Sequence, residues 1–556
     1  MTPEKLLDRS AKLLVADWKH LKRTFILPEN DASRETLVKY MEQILFGLHD
    51  FLRTHVGITE AVSLNDLSLK FSDTTINKDP VDKLANVITE LIEDIGPHAV
   101  NVASPFFIGH MTSAIPFFMV HLKTIVAALN QNVVKLETSK VVSVIERQVL
   151  AKIHRLIFEQ SDEFYRLHVQ SRDASLGAFV EDGTLANITA LWVARNTAFA
   201  PRNEFQGIEA EGLSAAYQAH DIQRAVVLVS RMGHYSLKKA GGILGIGHQN
   251  VIPIEVDAKN RINASVLEKT IQAIKNDPVK TRIIAMIGIA GTTETGSIDP
   301  LGRLADLAAE HGIHFHVDAA WGGPTLLSEK YRGRLRGIER ADSVTIDAHK
   351  QFYLPMTCGM VYFKNPAHMD AIAYHSRYVN RPGSVDLGIK SISGSREANS
   401  LILHSALKIM GVNGYALLIN HGIDTARQFA EEIQSRPNFE LTTYPELNIL
   451  TYRFCPPELQ SDLTGADPSR RRQANKKLNL INHKIQRLQR EAGKSFVSRT
   501  TLKLEKYEDE IVVLRSVIMN PMTHIEILKS ILDEQERIYL AELGDKTVRT
   551  VQSTLP

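Results

Sequence analysis

An acid and a lysine at the ends of two predicted strands are the residues of this sequence best suited to chemistry. Asp318 lies in the apolar run Ile313–Ala320, and Lys350 follows the run Ala341–Ile346, 32 residues after the acid. One strand–helix–strand step of a parallel sheet takes roughly 30 residues, so the two side chains can face each other at one sheet edge. An amine forms a Schiff base with an aldehyde cofactor, and a carboxylate keeps a ring nitrogen protonated. The spacing therefore predicts an aldehyde-cofactor site.

The elements that would position this pair read as an α/β architecture. Apolar runs alternate with helical patterns between residues 100 and 400, which predicts a mostly parallel sheet covered by helices on both faces. We expect a helical N-terminal segment (1–100), a large domain (101–400) and a small α+β C-terminal domain (401–556), with strands at Leu447–Phe454 and Ile511–Met519 and a final helix at His524–Leu540. The predicted strands of the large domain are Leu176–Val180, Ala225–Ser230, Val251–Val256, Arg282–Ala290, Ile313–Ala320, Ser343–Ile346 and Gly359–Phe363.

Composition excludes several classes of protein. The 556 residues are 44% apolar and 23% charged, as in globular proteins, and the net charge of +2 indicates neither a nucleic-acid nor a membrane partner. Two cysteines, Cys358 and Cys455, cannot build a disulfide framework, so a reducing compartment is expected. No apolar run approaches the length needed to cross a membrane (about 18 residues). The N-terminus lacks the apolar core of a secretory signal peptide. These features predict a cytoplasmic protein.

A basic helical insertion (465–494) interrupts the last domain. Its cations include the triplet Arg470-Arg471-Arg472, which would suit a nucleic-acid surface. Apolar residues also recur there at helical spacing, namely Leu478, Ile481, Ile485 and Leu488. Because no aromatic residues are interleaved, we favour a solvated helix that packs one face inward and binds no nucleic acid.

Three further motifs at predicted strand ends would complete a cofactor site. Gly183-Thr184 opens a predicted helix, whose exposed amides and dipole attract anions, although the acids Glu181 and Asp182 must then point away. His234 follows a strand and could stack on a pyridine ring. Thr293 lies in a polar loop after another strand. Open α/β sheets bind ligands at the carboxyl ends of their strands, so these motifs reinforce one another.

A metal-dependent hydrolase is the alternative from another class. His314, His316 and Asp318 alternate along one strand and so project from the same face. Imidazoles and carboxylates are zinc ligands. Because only the last of the three would reach the sheet edge, we favour the aldehyde cofactor and expect no metal.

Several motifs carry a resemblance to a known family. The octad His316–Gly323 (HVDAAWGG), the segment Asp342–Thr345 and the pair His349-Lys350 resemble the group II pyridoxal-phosphate amino-acid decarboxylases, and His234–Lys239 with Leu244–Gly247 is similar to their glutamate decarboxylase branch. Four segments resemble the bacterial pyridoxal-dependent aspartate 1-decarboxylases: Ser104–Ser113, Ala128–Asn132, Leu136–Ser139 and Gly493–Thr500. The resemblance runs from about residue 100 to the C-terminus.

The resemblance implies a fold-type I (aspartate aminotransferase-like) large domain that binds pyridoxal 5'-phosphate. Lys350 would form the Schiff base, Asp318 would pair with the pyridine nitrogen, Ala320 would lie under the ring and His234 above it. The other expected cofactor contacts are Gly183, Thr184, Thr293, Asp347 and His349. The expected substrate contacts are Arg515, Thr112 and Phe107, Tyr378 is the candidate proton donor, and Arg396 matches a family arginine of open role.

The implied activity is α-decarboxylation of an acidic amino acid, with L-aspartate favoured and β-alanine (for pantothenate) and carbon dioxide as products. Glutamate, diaminobutyrate, cysteine sulfinate and aromatic amino acids stay open as substrates, as does transamination. The family also implies a homodimer with active sites at the subunit interface. In many members a Gly or Ser pair replaces Glu181-Asp182, and in some Asn replaces Asp347, so this chain has extra acid near the expected phosphate.

Overall fold

A seven-stranded sheet forms the centre of the chain. The computed structural model describes residues 31–53, 56, 64–376, 384–465, 467–507 and 509–542. The strands run in the spatial order β1-β7-β6-β5-β4-β2-β3, and β7 alone is antiparallel to its neighbours. They are β1 (Gly177–Val180), β2 (Arg224–Ser230), β3 (Val251–Ile254), β4 (Thr281–Ile289), β5 (His314–Asp318), β6 (Ser343–Asp347) and β7 (Gly359–Phe363). The expected α/β fold with a mostly parallel sheet is confirmed.

Helices cover both faces of this sheet, and the described helices run from Asp31 to Glu542. Shorter 3₁₀ turns and one π-turn (Glu90–Ile95) connect them. The α-helices are α1 (Asp31–Leu52), α2 (Leu64–Lys70), α3 (Leu84–Thr89), α4 (Phe117–Leu129), α5 (Leu136–Ser139), α6 (Val141–Phe158), α7 (Asp162–His168), α8 (Gly183–Ala198), α9 (Ile208–His220), α10 (Tyr235–Ile243), α11 (Ala264–Asn276), α12 (Leu301–His311), α13 (Asn399–Ser435), α14 (Pro457–Thr464), α15 (Pro468–Ala492) and α16 (Ile525–Glu542).

The central strands are apolar because both of their faces are buried. Val226 and Leu228 of β2 contribute to the core on one face, whereas Val227 and Val229 contribute to the core on the other. Side chains alternate across a strand, so a sheet covered on both faces needs an unbroken apolar run. This requirement makes the strands visible in the sequence and brings their carboxyl ends to one edge.

A second, antiparallel sheet follows in the order β10-β11-β9-β8. Its strands are β8 (Phe439–Thr443), β9 (Ile449–Phe454), β10 (Ser498–Leu502) and β11 (Ile511–Val517). Helix α15, the basic insertion, packs Leu478, Ile481 and Ile485 into the core of this sheet, which agrees with a solvated helix that packs one face inward. The described residues after 400 thus combine helices with an antiparallel sheet, and the bounds 401–556 of a C-terminal domain stay a prediction.

Helix α13 connects the two sheets and corrects one expectation. By length (37 residues) and composition it is apolar enough to cross a bilayer, contrary to our estimate from the sequence. Gly411 interrupts the helix at φ 60° and ψ −175°. The buried side chains of the helix pack into two cores, with Leu403 in the core of the large sheet and Phe429 in the core of the antiparallel sheet. The helix therefore serves as a shared core element, and the domain boundary near residue 400 stays a prediction.

Candidate active site

Asp318 and Lys350 lie in one pocket at the carboxyl edge of the large sheet. Strand β5 ends at Asp318, which is paired in register with Thr345 of the neighbouring strand β6. Strand β6 ends at Asp347, and Lys350 follows in the next turn. The Lys350 amine lies 2.9 Å from Asp347 Oδ2. The spacing argument from the sequence therefore located both side chains correctly.

The pocket encloses about 270 Å³ and receives residues from six segments of the chain. Its volume is slightly below the usual range for small-molecule sites, roughly 300–1,000 Å³. The expected site residues that line it are Thr112, Gly183, Thr184, His234, Thr293, Asp318, Ala320, Asp347, His349 and Lys350; Asp182, Asn187 and His110 join them.

Two N–H donors hold the Asp318 carboxylate. Asn187 Nδ2 donates to Oδ2 over 2.9 Å, and the backbone amide of Ala320 donates to Oδ1 over 3.1 Å. The side chain is 6% exposed, so these bonds offset its desolvation. A carboxylate fixed by one donor on each oxygen has a defined orientation at the pocket wall.

Asn187 is a site residue that sequence reasoning missed. Besides the bond to Asp318, its Nδ2 donates to Ser236 Oγ (3.1 Å) and its Oδ1 accepts from His316 Nε2 (3.0 Å). Ser236 Oγ in turn lies 2.8 Å from His234 Nδ1. The amide of Asn187 therefore links the acid of the pocket to its histidine. The sequence feature that could have revealed Asn187 is its position on helix α8, one turn after Gly183.

The histidines of strand β5 face into the protein and do not form a metal site. Ser343 Oγ lies 2.8 Å from His314 Nε2 and 2.9 Å from His316 Nδ1. The Nδ1 of His316 bonds to Ser343 and its Nε2 donates to Asn187 Oδ1, so this ring has no lone pair left for a metal. Burial lowers the pKa of His314 to about 3 and that of His316 to about 4, so both rings are neutral. Within the described ranges, no group of three His, Cys, Asp or Glu side chains is arranged to hold a metal ion.

His234 caps helix α10 at the pocket. Its Nδ1 accepts from the Ser236 amide over 3.3 Å, which leaves Nε2 as the protonated nitrogen of the neutral ring. Burial lowers the pKa of His234, and the Lys350 amine adds to this effect, whereas Asp318 opposes it. A neutral imidazole therefore faces the pocket near neutral pH.

The start of helix α8 forms the expected anion-binding end of the pocket. Asp182 is its N-cap, and its side chain accepts the Leu185 amide over 2.9 Å. The amides of Gly183 and Thr184, which have no partner within the helix, lie at the pocket. Glu181 turns away and accepts from Ser393 Oγ (2.8 Å). Both acids that conflicted with a phosphate thus have other partners.

Asp347 brings a third acid to this end. A Cβ at Gly183 would lie 2.7 Å from Asp347 Oδ2, so glycine is required there. The other oxygen, Oδ1, is buried and has no hydrogen-bond partner within the described residues. His349 Nε2 lies 3.9 Å from Oδ2 and its Nδ1 contacts the Cys358 carbonyl oxygen (2.9 Å). The carboxylate therefore faces the amine of Lys350, beside the anion-binding amides.

Arg515, an expected substrate contact from the second sheet, lies beside the pocket and is not among the residues that line it. Its Nε donates to the Thr293 carbonyl (2.7 Å), and its Nη1 donates to the Gly109 carbonyl (3.1 Å) and to Ser498 Oγ (3.2 Å). Its Nη2 is buried and unpaired in the part of the chain that is described. Burial lowers the pKa of Arg515 to about 10, with Glu294 opposing, so the group is still a cation at neutral pH.

The N-terminal wall of the pocket differs from expectation at one residue. Thr112 lines the pocket, but Phe107 does not; the Phe107 ring stacks on Phe496, with 5.1 Å between centroids. This packing buries Phe107 in the wall. His110 was not foreseen, although it lines the pocket and lies 3.3 Å from Thr112 Oγ1 through Nδ1. Burial lowers the pKa of His110, and the nearby cations Arg515 and Lys350 lower it further.

Two expected residues remain, Tyr378 and Arg396. Tyr378 falls outside the described residues. Arg396 forms a buried, two-pronged ion pair with Glu146, whose carboxylate it contacts through Nη1 (3.0 Å) and Nη2. It does not line the pocket, which indicates a structural task for this arginine.

Comparison with known families agrees with this site. Residues 68–455 match the family described as the pyridoxal-dependent decarboxylase conserved domain. The chain belongs to the pyridoxal-dependent decarboxylases. It is 45% identical over 524 residues to an aspartate 1-decarboxylase of Aliivibrio fischeri, covering 94% of this chain and 95% of the relative. It is 28% identical over 472 residues to the acidic amino acid decarboxylase GADL1 of Xenopus tropicalis, covering 83% and 84%.

Solved structures of similar fold include other decarboxylases. Mouse CSAD in its apo form superposes with a TM-score of 0.77 at 22% identity, covering 90% of this chain and 99% of the other. A Catharanthus roseus tryptophan decarboxylase in complex with L-tryptophan gives a TM-score of 0.73 at 20% identity, covering 92% and 99%. At this level of identity the likeness establishes the fold alone.

The pocket of this pyridoxal-dependent decarboxylase fits the cofactor of its family. It offers an amine for the aldehyde (Lys350), a fixed carboxylate for the ring nitrogen (Asp318) and a neutral imidazole (His234). The amides of Gly183 and Thr184 suit a phosphate. The carboxylates of Asp182 and Asp347 are of unfavourable charge there.

Proposed function

We propose that this decarboxylase converts L-aspartate to β-alanine and carbon dioxide. Arg515 carries the proposal, because a buried cation with one unpaired nitrogen beside the pocket suits a substrate carboxylate. The aspartate 1-decarboxylase relative supports the same substrate, because it is 45% identical over 94% of this chain and 95% of its own length. The product would supply pantothenate synthesis.

The residues of the pocket would share the work as follows. Bound pyridoxal phosphate supplies an aldehyde that captures an amine and a ring that accepts the electrons of the breaking Cα–carboxylate bond. Lys350 would hold the aldehyde carbon between turnovers, and Asp318 would keep a proton on the ring nitrogen, which would favour electron withdrawal. His234 and Ala320 would restrict the ring from its two faces. Gly183, Thr184 and His349 would bind the phosphate, with Thr293 near the ring.

The electrostatics around Arg515 favour an acidic side chain. Glu294 is the carboxyl group whose charge interacts with Arg515, and burial raises the pKa of Glu294 while Arg515 opposes the shift. Within the described residues the hydrogen bonds of the Arg515 guanidinium go to carbonyl and hydroxyl oxygens and not to a carboxylate. Burial and the charges of Arg515 and Lys350 lower the pKa of His110, so this imidazole is neutral near neutral pH. It could donate a further hydrogen bond to the side-chain carboxylate of the substrate. Tyr378 stays the proposed proton donor.

Release of carbon dioxide from a panel of amino acids tests the substrate. We expect the highest kcat/KM for L-aspartate, compared with glutamate, cysteine sulfinate, diaminobutyrate and tyrosine. Equal or better activity on a cationic or aromatic amino acid would refute the acidic specificity. Absence of the visible band of bound pyridoxal phosphate, together with no turnover on any substrate, would refute the mechanism itself.

We further propose a homodimer with active sites near the interface, in the cytoplasm. Helices α4, α6 and α13 pack together and expose apolar side chains, including Phe117 (78% exposed) and Leu417 (71%). Exposed apolar side chains on helices that pack together favour an interface at this place. Light scattering should give twice the chain mass of 62.1 kDa, and Phe117→Glu should lower it. Leu480→Glu, at an equally exposed position on helix α15, is the matched control.

A further inference from the structure

A second cavity, of about 430 Å³, lies apart from the active-site pocket and shares no lining residue with it. It is bounded by the start of helix α12, the turn Arg332–Leu335, helix α13 and the loop at residues 444–446. Five arginines line its wall: Arg261, Arg303, Arg334, Arg336 and Arg427. Such a concentration of guanidinium groups is unfavourable unless anions offset their repulsion.

Three of these arginines have no carboxylate partner within the described residues. Arg334 and Arg427 both lie against the ring of buried Tyr331, with their guanidinium carbons 5.1 and 5.2 Å from its centroid. Arg427 Nε is buried without a hydrogen-bond partner, whereas its Nη1 donates to Tyr331 Oη over 3.4 Å. Arg336 is exposed and makes no side-chain hydrogen bond in the described part of the chain. By contrast, Arg261 pairs with Asp257 and Arg303 with Glu268, both outside the cavity.

The start of helix α12 adds positive potential to the same wall. Its N-cap is Pro300, which has no side chain to accept a hydrogen bond, and its first turn holds no acid. Leu301 N bonds back to Asp299 O, and the amides of Gly302 and Arg303 have no partner within the described residues, although Gly337 packs against the Gly302 amide. A helix start of this kind favours bound anions.

Two carboxyl groups in the wall are held by the backbone. Asp299 accepts the Ile262 amide (2.6 Å) and the Ile289 amide (2.8 Å), and burial raises its pKa to about 7, so its negative charge near neutral pH is reduced. Glu446 accepts the Ile298 amide (2.6 Å), and burial raises its pKa as well. The hydrogen bonds of both groups thus go to backbone amides and not to the arginines of the wall.

We propose that this arginine cavity binds a small organic phosphate, a ligand with at least two negative charges. Planar guanidinium groups donate paired hydrogen bonds to phosphate oxygens, and the helix amides can bind the same group. Tyr444 and Pro445 in the wall offer apolar surface to the organic part. The inference goes beyond the proposed decarboxylation, because no residue of the active-site pocket takes part.

Calorimetric titration of the holoenzyme with inorganic pyrophosphate at constant ionic strength tests the proposal. The holoenzyme is used so that the cofactor's own phosphate position is filled. We expect saturable binding of one pyrophosphate per chain, weakened at least about tenfold by Arg334→Ala and by Arg336→Ala. Arg336 is exposed and unpaired, so its replacement should leave the fold intact. Arg332, on the same turn as Arg334, pairs with Glu159 outside the cavity and provides the control, Arg332→Ala.

Three results would overturn the proposal: no saturable binding, equal weakening by Arg332→Ala, or binding of citrate as tight as that of pyrophosphate. The first removes the site, the second replaces it with diffuse surface charge, and the third removes the preference for phosphate. The heat signal does not depend on turnover. Failure of the cavity and failure of the proposed decarboxylation are therefore distinguishable.

Discussion

Replacing Asn187 with leucine tests the hydrogen-bond arrangement behind the pocket. Leucine has the same branched arrangement of four side-chain heavy atoms as asparagine but cannot donate to Asp318 or Ser236 or accept from His316. Thr189→Val on the same helix is a matched control, because Thr189 is also buried and its hydroxyl bonds only to the Leu185 carbonyl (2.7 Å). The comparison separates loss of the pocket amide from general disturbance of helix α8.

The magnitude follows from the three contacts of Asn187. The 2.9 Å bond to the Asp318 carboxylate is charge-assisted and contributes about 1.5–3 kcal/mol. His316 Nε2 would become a buried donor without an acceptor, which costs about 1–3 kcal/mol of stability. If about half of the first contribution acts on the ring nitrogen, cofactor affinity and kcat should each fall roughly tenfold. KM for aspartate should change little, because Arg515 is untouched.

Three measurements check this expectation. Cofactor affinity is measured by titrating the apoenzyme, the visible band is recorded against pH, and kcat and KM are measured with saturating cofactor. For Asn187→Leu we expect weaker cofactor binding, a band whose pH dependence is shifted, and a lower kcat. If its affinity, band and kcat match those of Thr189→Val while only its stability falls, Asn187 merely supports the fold, and the reasoning is refuted.

Four further outcomes follow from the same geometry. Lys350→Ala should lose both the visible band and turnover, and measurable turnover would contradict its assignment. Asp318→Asn should keep the fold yet lower kcat by orders of magnitude, because an amide cannot hold the ring nitrogen positive; an unchanged kcat would contradict this. Arg515→Lys should raise KM for aspartate about 10- to 100-fold through loss of the planar fork, with the visible band unchanged. Burial lowers the pKa of His154 to about 4, so the folded state resists protonation of this residue. The free energy of unfolding should therefore be highest above pH 6.5 and fall by a few kcal/mol towards pH 4. Urea unfolding of His154→Gln should show a weaker dependence on pH.

The large sheet could be predicted because its strands are buried on both faces. All seven apolar runs became strands. The second sheet was predicted only in part: β9 and β11 were recognised, whereas β8 and β10 were missed. Those two are the edge strands of their sheet, and residues such as Glu440 and Arg499 break their apolar pattern. An edge strand needs fewer buried residues, so its sequence signal is weaker.

The site was predictable where a residue type has one obvious task and not where the task depends on folding. Lys350, Asp318 and His234 follow strands, so their common edge could be inferred. Asn187 acquires its role only because Ser236 and His316, far away in sequence, come within 3.1 Å of its amide. The side-chain direction of Phe107 was equally beyond reach, since only packing decides which face of a loop is buried.

Arg515 belongs to a different sheet from every group that would touch the cofactor. The proposed carboxylate grip, Arg515, lies on β11 and bonds to the carbonyls of Thr293 and Gly109, whereas Lys350 and Asp318 lie at the ends of strands of the large sheet. The proposed roles thus place bond breaking and one part of substrate choice in separate parts of the chain. In a lineage of such proteins, changes on β11 can alter the choice of amino acid while the groups of the large sheet are preserved. The names of its relatives include different substrates, as expected if substrate choice changes while the catalytic groups are retained.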